Sequence, residues 1–499
     1  MRIVTGGEMK NADQYTMDHI GLDGRILMEN AGRAAAHSLM EVYAGRKFTV
    51  LIGSGNNGGD GFVISRTLLE AGFDVTVCII PGEDRISGDS GYHKMIFEKS
   101  GFVWKQYDRE DLKNADIIVD AMLGTGMHGE IREPYLTVIK DITSSGKRVV
   151  SIDLPSGVPA AEETVPEYAL RADHTIILQQ PKLSYYLYPA RCHYGDSEVV
   201  QIGIPKRAID ETAHSHRFEW TLAHTRKHWL KRSASSHKGS HGKVGIVAGN
   251  EMMPGAAAMS AGAAVKSGAG LTMVNTVKSA VPVVASKVTE ATFYDRGAPL
   301  SGFYKGKDAL AVGPGTGTGS ASREIVVDLI DNFDGPLLVD ADGLAQFRDI
   351  LPLVRNREAP TVITPHPGEM AKLIDSTPAR VNGARFETAE KYARDNGIYV
   401  VLKGPFTIVA TPHGRTFVNV TGNSGLAKGG TGDALTGMIL SFLSRYDDVQ
   451  AAVSSAVFMH GYTADHMLEC GVAASAMTAS GIIDHMETTF NLVDNMQDL

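Results

Sequence analysis

The chain has 499 residues, 43% hydrophobic and 21% charged, so it is too long for one ordinary core and typical of two globular domains. Its net charge of −9 and its lack of basic runs argue against nucleic acid or an anionic membrane as partner. No stretch reaches the roughly 20 apolar residues of a membrane span, and we expect a cytoplasmic protein. The cysteines Cys78, Cys192 and Cys470 have no disulfide or metal-ligand spacing, and we interpret them as structural.

The first half of the chain alternates short apolar strands with helices. Two helical patterns, near residues 7–20 and 25–44, come first. Strands are then predicted at 48–52, 75–80, 117–119 and 149–152, and helices at 62–71, 91–99 and 135–144. Short, continuously apolar strands separated by helices are typical of a parallel sheet covered on both faces. The pattern predicts a doubly wound, Rossmann-like domain of three layers.

The alternation stops between about residues 205 and 236, where Lys, Arg, His and Ser dominate and we expect a linker. A second series has strands at 244–248, 271–275, 309–312, 337–339, 361–363 and 399–402. Helices are predicted at 256–266, 387–395, 433–444 and 450–468, and residues 407–409 and 416–418 are predicted to form a hairpin added to the sheet. The second half is therefore expected to be another α/β domain.

The first glycine cluster lies just after the strand at 48–52. Gly53, Gly55 and Gly58 satisfy the spacing G-x-G-x-x-G of a dinucleotide site, which is a weak signal alone. The second strand ends in Ile79-Ile80-Pro81 without the carboxylate that would hold a ribose. An ordinary NAD-dependent dehydrogenase is therefore disfavoured.

Oxygen-bearing side chains follow three strands of this half. They lie in Asn56-Asn57-Gly58-Gly59-Asp60-Gly61, in Asp120 with Gly124-Thr125-Gly126, and in Asp153-Leu154-Pro155-Ser156-Gly157. Each segment alone is as readily a turn or a helix cap. Together, at the carboxyl edge of one sheet, they predict one pocket whose oxygens could hold a hard cation and whose carboxylates could move protons.

A second glycine cluster, Gly429 to Gly437, precedes a helix with Asp433 in its first turn. Backbone N–H groups there can neutralise phosphoryl oxygens while the carboxylate takes a proton from an attacking hydroxyl. The chain has no G-x-x-x-x-G-K-[ST] motif, so it is not a P-loop enzyme. Other segments are compatible with phosphoryl transfer. They are Lys403-Gly404-Pro405-Phe406-Thr407, Gly313-Pro314-Gly315, Asp340-Ala341-Asp342 and His366 between two prolines. A single Lys or His in a loop is more often only solvated.

The motifs of residues 1–213 resemble the N-terminal epimerase domain of the bifunctional NAD(P)H-hydrate repair enzymes. The resemblance implies interconversion of the R and S forms at C6 of hydrated NADH or NADPH, with bound potassium held by Asn57, Asp120 and Ser156. It implies substrate contacts from Asn56, Asn57, Gly58, Gly59, Asp60, Gly124, Thr125, Gly126, Met127, His128, Gly129, Glu130 and Asp153. A carboxylate suffices as proton carrier, and we assign Asp153, with Asp60 as the alternative.

Residues 224–499 resemble the ribokinase-like ADP- or ATP-dependent NAD(P)H-hydrate dehydratase domain. The matching motifs, in order, are His237-Lys238-Gly239, Pro254-Gly255-Ala256-Ala257, Gly313-Pro314-Gly315, Asp340-Ala341-Asp342, Thr364 to Glu369, Lys403-Gly404 with Thr407, and Gly430-Thr431-Gly432-Asp433. The resemblance implies that the nucleotide, with Mg²⁺, phosphorylates the C6 hydroxyl of the S hydrate, and that phosphate then leaves. Asp433 would activate the hydroxyl. Nucleotide contacts would come from Lys403, Gly404, Pro405, Phe406, Thr407, Gly430, Thr431 and Gly432, and hydrate contacts from Ala257, Gly315, His366 and Asp433.

Two alternatives stay open at this point. The second domain could be a vitamin or sugar kinase, and the first a nucleotide-binding module without chemistry of its own. The motifs do not separate ADP from ATP or NADH hydrate from NADPH hydrate. The expected partners are small molecules, in a homo-oligomer.

Overall fold

The computed structural model describes residues 1–496 and divides the chain into two units, with the boundary between His216 and Arg217. Residues 214–223, which lie between the two predicted domains, span this boundary. The last three positions of the predicted C-terminal domain, 497–499, lie outside the described residues.

The first unit is built on a seven-stranded parallel sheet. Its strands are β1 (Phe48–Ile52), β2 (Val75–Ile79), β3 (Lys105–Gln106), β4 (Ile117–Ala121), β5 (Arg148–Ile152), β6 (His174–Leu178) and β7 (Asp196–Val200). They are arranged in the order β3-β2-β1-β4-β5-β6-β7. The prediction of β1, β2, β4 and β5 is confirmed, whereas β3, β6 and β7 were not predicted.

The helices of this unit are α1 (Gly6–Tyr15), which continues into a π-helical turn over Thr16–Ile20, α2 (Gly24–Val42), α3 (Asn56–Glu70), α4 (Gly88–Lys99), α5 (Tyr135–Ser145) and α6 (Lys206–Thr212). Thr5 and Glu8 form a capping box at the start of α1. Apolar residues of α2, α3 and β1 share one buried cluster. Doubly wound α/β architecture is confirmed for this half.

The second unit contains a ten-stranded sheet. Its strands are β8 (His216–Trp220), β9 (Lys243–Val247), β10 (Leu271–Thr276), β11 (Thr292–Asp295), β12 (Ala309–Val312), β13 (Leu337–Val339), β14 (Thr361–Ile363), β15 (Tyr399–Leu402), β16 (Ile408–Ala410) and β17 (Arg415–Asn419). The order is β11-β10-β9-β12-β13-β14-β15-β16-β17-β8. β16 pairs antiparallel with both β15 and β17, which confirms the predicted hairpin.

The helices of this unit are α7 (Leu222–His228), α8 (Pro254–Lys266), α9 (Val281–Lys287), α10 (Ser301–Tyr304), α11 (Ser320–Asn332), α12 (Leu351–Arg355), α13 (Pro367–Leu373), α14 (Pro378–Gly383), α15 (Arg385–Asn396), α16 (Thr431–Leu443), α17 (Val449–Glu469) and α18 (Ala479–Asn495). α16 packs closely on α8. A Cβ atom at Gly437 would lie 2.1 Å from the carbonyl oxygen of Ser260, so glycine is what lets the two helices approach. None of the helices described here is long and apolar enough to cross a membrane.

Residues 205–236 are not a simple linker, because α6, β8 and α7 lie within them. The strand at 216–220 was not predicted because its sequence is mostly polar. Its last residue, Trp220, is buried and meets the Phe417 ring edge-on at 5.3 Å. The three cysteines are free, as their spacing predicted; Cys78 is buried, and Cys192 and Cys470 are exposed.

Candidate active sites

The first candidate site lies where the strand order of the first sheet reverses. β1 pairs with β2 on one side and β4 on the other, and ligands bind outside the carboxyl ends of strands at such a switch point. α3 begins directly after β1, Asp120 lies at the end of β4, and Asp153 follows β5. A cavity of about 710 Å³ opens at this edge. The three segments predicted to converge therefore do so.

Some of the residues predicted to contact the substrate line this cavity, and others do not. Of the predicted residues it is lined by Asn56, Asn57, Asp60, Gly124, Thr125, Gly126, Met127, His128 and Asp153, and its lining does not include Gly58, Gly59, Gly129 or Glu130. The segment from Asn56 is the first turn of α3 and not a loop, with Gly55 as its N-cap. A Cβ atom at Gly58 would lie 2.0 Å from the Gly53 carbonyl oxygen, and one at Gly59 2.3 Å from the Met28 sulfur. These two glycines let the helix start pack against its neighbours.

Acidic side chains and one lysine form the polar floor of this cavity. Asp153, at a left-handed φ of 67°, forms an ion pair with Lys182, and its Oδ1 also accepts a hydrogen bond from the Leu178 N–H at 3.0 Å. Burial, together with the charges of Asp153 and Asp13, raises the pKa of Asp60 well above its usual value. Burial raises the pKa of Asp13 to about 6. The site thus combines two carboxyl groups of raised pKa with a carboxylate paired to a cation.

Sequence reasoning missed Asp13 and Lys182. Asp13 lies on α1, and the search covered only the segments that follow strands. Lys182 comes four residues after Leu178, the last residue of β6. Prediction of β6 from its apolar sequence would have placed Lys182 at the same edge of the sheet.

Asn57, Asp120 and Ser156, the predicted potassium ligands, meet around Leu123. Asp120 is fully buried and accepts hydrogen bonds from the Ser156 hydroxyl at 2.6 Å, the Ser156 N–H at 2.9 Å and the Ser151 hydroxyl at 2.8 Å. Ser156 Oγ also accepts the Leu123 N–H, and Asn57 Nδ2 donates to the Leu123 carbonyl oxygen.

The other amide atom of Asn57, Oδ1, is buried and has no hydrogen-bond partner among the described residues. An unpaired buried oxygen carries a free-energy penalty that a cation would remove. Amide, hydroxyl and carboxylate oxygens linked through Leu123 are donors of the kind that fit a hard cation.

The second candidate site lies at the carboxyl edge of the second sheet, beyond the ends of β13, β14 and β15. Lys403, just after β15, is bound to Asp340 Oδ1 at 2.9 Å and lies 3.7 Å from Glu369 Oε2. Burial opposes the charge of Lys403, but Asp340 and Glu369 outweigh it and raise its pKa. Asp340 is buried and accepts the Thr436 hydroxyl at 2.6 Å. A fixed positive charge therefore lies beside the start of α16.

The N-terminus of α16 carries the predicted anion hole and base. Gly430 is its N-cap at a φ of 90°, and Thr431 Oγ1 donates to the carbonyl oxygens of Leu426 and Lys428, which fixes the loop. A Cβ atom at Gly432 would lie 3.7 Å from Lys403 Nζ. Burial, reinforced by Asp340, raises the pKa of Asp433 to about 7. Backbone N–H groups, an ammonium group and a proton-accepting carboxyl group are thus close together.

The remaining predicted hydrate contacts lie at the starts of two helices: His366 at α13, and Ala257 with Gly315 at α8. His366 is the N-cap of α13, and its Nδ1 accepts hydrogen bonds from the N–H groups of Gly368 and Glu369 at 2.9 and 3.2 Å. Ala257 is buried in the first turn of α8, and a Cβ atom at Gly315 would meet the preceding alanine of that helix at 2.9 Å.

The loop Lys403 to Thr407 is held from behind by Arg385, which donates to the carbonyl oxygens of Leu402, Lys403 and Phe406. Sequence reasoning missed Arg385 because a lone arginine on a polar helix gives no signal. Its side chain is buried, and its hydrogen bonds position the loop.

Comparison with known proteins agrees with this division. A family model described as "YjeF-related protein N-terminus" matches residues 24–184, and one described as "NAD(P)H-hydrate dehydratase" matches residues 244–487. The chain is 33% identical to the bifunctional NAD(P)H-hydrate repair enzyme Nnr of Moorella thermoacetica, over 97% of this chain and 96% of that one. It is 30% identical to the enzyme of the same name from Escherichia coli, over 97% and 93%.

Solved structures match the second unit. The ADP/ATP-dependent NAD(P)H-hydrate dehydratase of Bacillus subtilis, co-crystallised with ATP and Mg²⁺, is 32% identical, with a TM-score of 0.51 over 55% of this chain and 98% of that one. A ribokinase-like protein of Enterococcus faecalis, 24% identical with a TM-score of 0.50, agrees with this chain in fold. The predicted ribokinase-like fold is confirmed. The chain belongs to the family of bifunctional NAD(P)H-hydrate repair enzymes.

Proposed function

We propose that the first unit interconverts the R and S forms of hydrated NADH or NADPH and that the second unit dehydrates the S form at the expense of ADP or ATP. The observation that carries this proposal is the chemistry at the carboxyl edges of the two sheets. One edge has carboxyl groups of raised pKa beside an ion pair, and the other has a carboxyl group of pKa about 7 at a glycine-rich helix start beside a buried lysine.

In the first unit the hydroxyl group of the hydrate lies on the carbon next to the ring nitrogen, whose lone pair assists its departure. Protonated Asp60 would donate a proton to that oxygen, so that water leaves. Asp153, held by Lys182, would take a proton from the water that adds to the opposite face. This divides the proton transfer between the two carboxyl groups that the sequence left as alternatives, and it inverts the carbon centre.

The potassium ion implied by the family is assigned to the group around Leu123. Asn57 Oδ1, Ser156 Oγ and the carboxylate of Asp120 would hold it, and the unpaired Asn57 oxygen supports this assignment. When bound, the ion would supply positive charge close to the substrate. The chain itself fixes these donors through the hydrogen bonds of Asp120 and Ser156.

In the second unit Asp433 would accept the proton of the C6 hydroxyl as that oxygen attacks the terminal phosphorus of the nucleotide. The N–H groups of residues 430–432 and the ammonium group of Lys403 would stabilise the charge on the phosphoryl oxygens. The C6 phosphate then leaves with assistance from the ring nitrogen, and the C5 proton passes to the departing phosphate, which restores NADH or NADPH. The carboxylate oxygens of Glu369 are hard donors of the kind that Mg²⁺ prefers.

Two single substitutions test the assignment of one activity to each unit. In Asp153→Ala, conversion of R hydrate should fall while dehydration of pure S hydrate persists. In Asp433→Ala, dehydration should be lost while epimerisation persists. Unchanged R conversion in the first variant, or preserved dehydration in the second, would refute the corresponding role.

A kinase of a vitamin or sugar is the competing function for the second unit. Incubation of the protein with hydrated NADH and ADP or ATP, followed by absorbance of the reduced nicotinamide, distinguishes the two. Recovery of NADH supports repair, and stable phosphorylation of a vitamin alcohol without recovery refutes it. The homo-oligomer and the cytoplasmic location stay predictions, and sedimentation velocity checks the former.

A further inference from the structure

Three metal-ligating side chains meet at the junction of α17 and α18, and neither active site uses them. His466 and Cys470 lie one helical turn apart at the end of α17, and His485 lies on α18. His466 Nδ1 is 2.8 Å from His485 Nε2 and 3.6 Å from Cys470 Sγ. One ligand atom from each residue lies within 4.8 Å of both others.

These separations suit a tetrahedral ion. Zinc lies about 2.0–2.1 Å from histidine nitrogen and about 2.3 Å from cysteine sulfur, so its ligand atoms are roughly 3.3–3.6 Å apart. The observed distances, 2.8 Å between the two nitrogens and 3.6 Å between nitrogen and sulfur, differ from these values by amounts that small side-chain rotations would remove. The proton shared by the two imidazole rings would move to the outer nitrogen of its ring when a metal takes its place, so that both ligands stay neutral imidazoles.

The two helices hold the ligands in place. Thr463 Oγ1 and Thr489 Oγ1, both buried, are 2.9 Å apart across the helix pair. Met467 and Met486, next to the ligands in sequence, are buried in the core of the unit. A site on packed helices needs little ordering when it binds a ligand. The carboxyl end of α17 also carries the partial negative charge that favours a cation.

We propose that His466, Cys470 and His485 form a zinc site that is open at a fourth position. Two imidazoles and one thiolate select a borderline-soft divalent ion and do not suit Mg²⁺ or K⁺. Cys470 is exposed and the two histidines are partly exposed, so an ion can enter from solvent. The thiol of Cys470 loses its proton to solvent when the ion binds.

The site spans the turn that supports the second active site. Between the ligands of the two helices, the carbonyl oxygens of Ser475 and Met477 accept hydrogen bonds from Lys428 Nζ at 2.7 and 2.6 Å. Lys428 directly precedes the glycine cluster at the start of α16. A bound ion therefore ties together both ends of the turn on which the anion-hole loop rests.

The test is metal binding by the full-length, reduced and chelator-treated protein, with Zn²⁺ in competition with a chromophoric chelator and Co²⁺ as a spectroscopic probe. The wild type is expected to bind one ion per chain with micromolar or tighter affinity. Cys470→Ser and His485→Gln should weaken binding at least tenfold, and the thiolate-to-cobalt charge-transfer band should vanish in Cys470→Ser. Cys192→Ser and His413→Gln, which change an exposed cysteine and an exposed histidine elsewhere, are the matched controls.

A second measurement uses the thiol itself. Zn²⁺ should slow alkylation of Cys470 at least tenfold and leave that of Cys192 unchanged, as followed by mass spectrometry. Retained dehydratase activity in Cys470→Ser and His485→Gln shows that the variants are folded. Absence of stoichiometric binding by the wild type, undiminished binding in both variants, or a cobalt complex without the thiolate band would each overturn the proposal.

Discussion

The pKa of Asp433 makes a quantitative prediction about the dehydration step. A general base must be ionised before it can accept a proton, and burial with the charge of Asp340 raises the pKa of Asp433 to about 7. Such a group is about one-tenth ionised at pH 6 and about nine-tenths ionised at pH 8, so the rate should rise about tenfold across this range. The activity is therefore lost as the pH falls through 7.

The assay is kcat/KM for S hydrate at saturating nucleotide and Mg²⁺, from pH 5.5 to 9. Asp433→Asn should lose about 10²- to 10⁴-fold at every pH. Two neighbours move the profile in opposite directions. Asp342 raises the pKa of Asp433 and Lys403 lowers it, so Asp342→Asn should shift the acid limb to lower pH and Lys403→Met to higher pH. A wild-type rate that is flat between pH 6 and 8, or an Asp433→Asn variant of near-normal rate, would refute the assignment.

Three further predictions concern the first unit. Lys182→Met leaves Asp153 without its cation and should lower epimerisation about 100-fold with dehydration of S hydrate unchanged; equal losses in both reactions would contradict this. Asn57→Ala should remove the stimulation of epimerisation by KCl over choline chloride, and an unchanged response would contradict the potassium assignment. Gly58→Ala forces a Cβ atom to 2.0 Å from a backbone oxygen, whereas Gly55→Ala meets nothing within 4 Å. The first should cost more than about 3 kcal/mol and lower the melting temperature by about 10 °C, and the second should have little effect, as checked by calorimetry.

The sequence predicted those parts of the fold that have strong apolar periodicity. β1, β4 and β5 are continuous apolar runs, and their ends placed Asn57, Asp120 and Asp153 at one edge of the sheet. The strand at 216–220 was not predicted because its alternation of apolar and polar residues is short and rich in charge. It forms because the partner edge of β17 and the ring of Phe417 are available only in the folded unit.

The candidate sites were predicted where function follows local sequence, and missed where it depends on tertiary contacts. The glycine cluster before Asp433 specifies a helix start by itself. The role of Asp13 depends on which elements line the cavity beside Asp153, which no local pattern records, whereas Lys182 was missed because β6 was not predicted. The metal-ligating group was missed because only cysteine spacing was considered. A histidine four residues before Cys470 on one helix was the available signal.

The glycines at the start of α3 have a consequence for the order of folding. Gly58, Gly59 and Gly61 lie within its first six residues, and each lowers intrinsic helix stability by about 1 kcal/mol relative to alanine. We therefore expect this turn to form late, once β1 and β4 have paired. The cavity-facing end of α3 should exchange its amide hydrogens by local opening, while the rest of the unit stays folded.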